Sequence, residues 1–168
     1  GHRSPLTRFV LFCLLATLVV SGCSTETERY SQADRASLAK LTNRFELANR
    51  QQVKIRTAFQ MRDFSTARAA LINAGYQYER ARDQAERLED EPAQDFFLDL
   101  VQLRASETDL LSDLVDAADD GDQAKVASIE ERGREMQDRN VELFQSQDLK
   151  DLELGELSDE EIDSLTYE

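Results

Sequence analysis

Reactive side chains are scarce in this chain of 168 residues. The single histidine is His2, and the two cysteines are Cys13 and Cys23. Residues 3–168 therefore offer no imidazole, which removes from them the Glu-x-x-His pairs of di-iron bundles, the zinc-protease helix and any Ser-His or Cys-His nucleophile. Ser37-Leu38-Ala39-Lys40 has the Ser-x-x-Lys spacing of an acylating serine, but neither Ser-Asp-Asn nor Lys-Thr-Gly accompanies it. The acidic turn Asp116-Ala117-Ala118-Asp119-Asp120-Gly121-Asp122 invites a calcium reading. Placing Gly121 at the sixth loop position puts Ala118 and Ala127 at ligand positions three and twelve, so the helix–loop–helix template fails. No glycine-rich phosphate loop is present. No cofactor, metal or catalytic residue is expected, and the chain reads as a non-enzyme.

The polar residues that do stand out fall on apolar stripes. Gln52, Glu107 and Asn140 occupy core positions of three different helices, where single polar residues set register in coiled coils. Measured from their hairpin turns they lie about 15, 20 and 28 Å along their helices, so they need not form one layer. Glu107 has Arg104 one turn before it as a partner within reach.

The elements that must hold these residues are legible from spacing. The first stripe is Leu38, Leu41, Phe45, Ala48, Gln52, Ile55 and Phe59, alternating steps of three and four. Phe64, Ala67, Leu71, Ala74, Tyr78, Ala81, Ala85 and Leu88 make the second. A third runs Ala93, Phe96, Leu100, Leu103, Glu107, Leu110, Leu114, Ala117, and a fourth Val126, Ile129, Gly133, Met136, Asn140, Leu143. Caps punctuate them: Ser31 with Asp34, then Asp63, Pro92 in a first turn, and Gly121 followed by Asp122. With only two Pro and six Gly in the chain, a turn-rich β protein is ruled out. The expectation is all-α, an up-down-up-down antiparallel four-helix bundle over residues 31–148, with helices at about 31–61, 64–89, 92–118 and 122–147. Phe97, Leu111, Val115, Val141 and Phe144 either widen the core stripes or form an exposed cluster.

An acidic tail, residues 149–168, follows the last stripe. Leu149, Leu152, Leu154, Leu157, Ile162 and Leu165 are spaced between its acids. They either fold back on the bundle or form a docking peptide for a partner's groove.

The N-terminal stretch is of another kind. Arg3 and Arg8 precede an apolar run, residues 9–20, whose twelve residues rise about 18 Å, short of the roughly 30 Å of a bilayer core. Residues 1–22 thus read as a signal peptide. The run ends in Val20-Ser21-Gly22-Cys23, which resembles the lipobox of bacterial lipoproteins: an aliphatic residue, two small ones, then Cys. The resemblance implies cleavage before Cys23, a diacylglycerol on its thiol and an acyl chain such as palmitate on its new amine. Two or more chains are needed for a stable anchor, because one binds reversibly. Ser24, not Asp, follows the Cys, which resembles lipoproteins forwarded to the outer membrane of Gram-negative cells. Residues 23–30 then make the lipidated Cys and a tether of about 20–25 Å.

Charge narrows the partners. Twenty basic residues face 34 acidic ones, a net charge of −14, and removal of residues 1–22 takes away two arginines and no acid. Such a surface repels nucleic acid, leaving the membrane, through the lipid anchor, and another envelope protein as expected partners. The expected role is an exported, envelope-anchored accessory or adaptor that binds protein. The alternatives are a carrier holding an apolar ligand near Phe45, Tyr78 and Leu103, or a self-assembling helical scaffold.

Overall fold

The computed structural model describes residues 29–146 and 150–154. They form four α-helices and, among the described residues, no strand: α1 (Gln32–Gln60), α2 (Phe64–Glu86), α3 (Glu91–Asp120) and α4 (Gln123–Gln145). Each start has a side-chain cap. Ser31 accepts the Asp34 N–H, Asp63 that of Thr66, Asp90 that of Ala93 and Asp122 that of Lys125. These caps satisfy donors that a helix cannot satisfy within itself. Pro92 sits in the first turn of α3, and Gly121 closes that helix with φ of 71°, a left-handed conformation in which a Cβ is strained. At the end of α1 the corresponding position is taken by Arg62, with φ of 56°. Its guanidinium lies 5.3 Å from the Phe64 ring centroid.

The stripes bury as their spacing dictates. Leu38, Leu41, Ala48 and Ile55 of α1 are fully buried, as are Ala67, Ala74, Ala81 and Ala85 of α2. Alanine at these α2 positions lets α1 approach closely, and the contact between the two is the most extensive in the molecule. The Phe45 and Tyr78 rings meet at 5.9 Å, Arg44 donates to Gln77 at 3.1 Å, and Asp34 bonds the backbone of Glu89 and Asp90. The start of α1 thus lies beside the end of α2. Arg68 near the start of α2 bridges Asp116 and Asp119 near the end of α3, at 3.0 and 2.7 Å. Phe96 near the start of α3 packs edge-on against Phe144 near the end of α4, at 6.2 Å.

α3 buries more residues than any of the other three helices, and it packs against both α2 and α4. A helix with two neighbours needs apolar residues around more of its circumference than one stripe supplies. That is why Phe97, Leu111 and Val115 are fully buried, and the exposed-cluster alternative fails for them. Val141 and Phe144 on α4 are half-buried. Leu103, expected inside, is only partly buried; Arg104 beside it takes the interior position at 1% exposure. α4 itself fully buries little beyond Ile129, Gly133 and Asn140.

Candidate functional site

Asp34 begins the best-defined polar constellation. In a Ser-x-x-acid start, the acid is placed to reach back to its own cap; here it turns outward instead. Its two carboxylate oxygens accept the N–H groups of Glu89 and Asp90, at 2.8 and 2.9 Å, in the connection between α2 and α3. The carboxylate is 2% exposed, so these charge-assisted bonds lock that connection to the start of α1. Asp90, held by Asp34 through its backbone, in turn accepts Nε and Nη2 of Arg29 at 3.3 and 3.1 Å, a bidentate pair. Ser31 donates to Glu89 at 3.3 Å.

The same end receives the C-terminal segment. Arg29 also donates to the Asp151 carbonyl, and the Tyr30 hydroxyl donates to the Leu152 carbonyl. Tyr30, Leu152 and Leu154 are buried in the common core, at 4%, 1% and 6% exposure. Leu152 and Leu154 are therefore folded back on this chain rather than displayed to a partner. Leu149, Leu157, Ile162 and Leu165 lie outside the described residues, as does Cys23. Arg29 and Tyr30 follow Cys23 by six and seven positions, and these first described residues grip both the α2–α3 connection and the segment after α4.

The polar core residues are all buried: Gln52 at 0%, Glu107 at 3% and Asn140 at 4%. Arg104 donates through Nη1 to Glu107 at 3.0 Å, and its guanidinium lies 6.0 Å from the Phe144 ring centroid. Gln52 has no hydrogen-bond partner for either side-chain amide atom, and the Asn140 Oδ1 likewise has none. Asp34 and Asp90 set a shared level for α1 and α3. From it, Gln52 and Glu107 stand about 27 and 26 Å along their helices at 1.5 Å per residue. These two share a height. Asn140, one turn from the Phe96–Phe144 contact, lies about 10 Å nearer the tether end by the same rise.

Sequence reasoning named Arg104 as a partner for Glu107 but not its full burial, and it missed Arg29, Tyr30 and the outward turn of Asp34. Arg104 had a signal: it sits four residues after Leu100 and three before Glu107, as good a stripe position as Leu103. Tyr30 and Asp34 had none, since their partners are 122 and 55 or more residues away. Among the described residues no group of three or more His, Cys, Asp or Glu is arranged to hold a metal, and no helix is long and apolar enough to cross a membrane. Two half-open grooves are present: about 550 Å³ beside Pro92, Phe96 and Leu143, and about 530 Å³ between α2 and α3. Phe45 and Leu103 do not line the second, although Tyr78 does.

No family model matches the chain, and no curated protein or solved structure matches it either.

Proposed function

We propose that this chain is an envelope lipoprotein that works as a non-enzymatic, protein-binding accessory, held to its membrane through Cys23. The observation that carries the reading is Val20-Ser21-Gly22-Cys23 at the end of a twelve-residue apolar run, followed at once by polar residues. The geometry at Arg29 and Tyr30 supports it. A tether of five residues, 24–28, leads directly into a bidentate ion pair and a buried tyrosine, so a pull on the anchor is borne by the body and not by a frayed end.

On this reading the four helices run up-down-up-down as an antiparallel bundle, each packed on its neighbour in sequence, with residues 149–168 as its acidic tail. The Asp34, Arg68 and Phe96 contacts each join a helix start to a helix end, as that topology requires. At 1.5 Å per residue from the level that Asp34 and Asp90 share, the Met61 and Gly121 turns stand about 40 and 46 Å away. The body then stands off the membrane and presents its long sides. Placement at the outer membrane follows from Ser24 in a Gram-negative host.

The carrier alternative draws no support from the Phe45 and Tyr78 rings, which fill the space between α1 and α2 by contact with each other. Metabolic labelling with a palmitate analogue tests the proposal. The chain is expected to take up label and fractionate with membranes, and Cys23→Ser is expected to abolish both. Label retained by Cys23→Ser would overturn the anchor.

A further inference from the structure

The half-open groove between α2 and α3, about 530 Å³, has a floor that invites an occupant. Gly75 stands twelfth of the 23 residues of α2, in the helix interior, where glycine is costly relative to alanine. No atom lies within 4 Å of where its Cβ would be. Internal packing therefore does not require a glycine there; its missing side chain deepens the groove. Val101 and Ala105 of α3 continue the apolar floor.

The rim is acidic. Glu79, Asp99 and Asp109 line it and are exposed, as is Glu86, while the one arginine on it, Arg82, is turned to Glu86 at 3.2 Å. Ile72, one turn before Gly75 on the same side of α2, is 74% exposed and extends the apolar strip beyond the groove. The lining runs from Gly75 to Glu86 on one wall and from Leu98 to Asp109 on the other, each about 16 Å long at the helical rise. A trough of that length, apolar below and anionic along both edges, matches an amphipathic helix with cationic flanks. A compact small molecule would instead seek a more enclosed site.

We infer that the α2–α3 groove is the docking site for a basic amphipathic helix of a partner protein, with aliphatic side chains over Gly75, Val101 and Ala105 and Lys or Arg residues paired with Glu79, Asp99 and Asp109. This inference rests on the adaptor reading and deepens it by naming the partner's chemistry.

Two measurements test it. A fluorescent 18-residue peptide with Leu on one helical face and Lys on the other is titrated against the full chain, beside a scrambled peptide of the same composition. The amphipathic peptide is expected to bind at least tenfold more tightly, and amide shifts are expected at Gly75, Gln102 and Ala105. Gly75→Leu is expected to weaken it at least tenfold, and the exposed double variant Asp99→Lys/Asp109→Lys likewise, with unchanged helical circular dichroism; Gly75→Ala keeps the fold and checks the effect of size. Equal binding of the two peptides, or full binding by both Gly75→Leu and the charge-reversed variant, would overturn the groove. In cells, a photo-crosslinking residue at Gln102 is compared with one at Arg134 on α4. A partner captured from Gln102 and lost in Gly75→Leu supports the site. Capture from Arg134 alone overturns the groove and leaves the adaptor reading standing, while capture from neither overturns both.

Discussion

Two kinds of buried polar residue separate sharply in their energetics. Gln52 is fully buried with neither side-chain amide atom bonded. An unpaired buried amide costs about 1–3 kcal/mol, so Gln52→Leu, close in volume, is expected to stabilise the fold by about that amount in urea unfolding. Arg104 and Glu107 are paired at 3.0 Å with almost no exposure. Removing one partner strands the other charge in the core. Arg104→Met is expected to cost about 3–5 kcal/mol, while the double variant Arg104→Met/Glu107→Leu recovers most of it. A double variant no better than the single one would contradict the pairing. Spacing alone placed Gln52, Glu107 and Asn140 in the interior, because a heptad register marks a position as inward whatever residue fills it. It placed Arg104 within reach of Glu107 on the same helix, but could not show that Gln52 and the Asn140 Oδ1 find no partner, since that depends on neighbours brought in by the fold.

Helix boundaries came close from sequence because capping is local chemistry: Ser31, Asp63, Asp122 and Gly121 act within three or four residues of themselves. Asp63 illustrates how such a cap titrates. The hydroxyl of Thr66, then its backbone N–H, bond the Asp63 carboxylate and hold its pKa below the ordinary 3.8. A folded value below the unfolded one means that the stabilisation is present above pH 3.8 and is lost as pH falls through the depressed folded value. Thr66→Val removes the hydroxyl bond and is expected to raise the Asp63 pKa toward 3.8 in carboxyl-detected NMR titration. An unmoved titration would refute the assignment of its cause. The widened apolar surface of α3 was not decidable from its own residues. Phe97, Leu111 and Val115 fit either an exposed cluster or a second buried face, and only the neighbours on both sides of that helix choose between them.

For the molecule as a whole, the end at which α1 begins is where distant parts of the chain meet. Arg29, Tyr30 and Asp34 join the start of α1 to the α2–α3 connection and to residues 151 and 152. Those pairings span from 55 to 122 residues and leave no periodic trace, so they were illegible beforehand. The lipid proposed on Cys23 is what would hold this body to its membrane. Its most direct measurement is the mass of the N-terminal tryptic peptide, cut after Arg29, from protein purified out of its own membranes. The expected result is a peptide of residues 23–29 that begins at Cys23 and carries a diacylglyceryl group and an amide-linked acyl chain. An unmodified Cys23, or a peptide that continues upstream through Gly22, would contradict it.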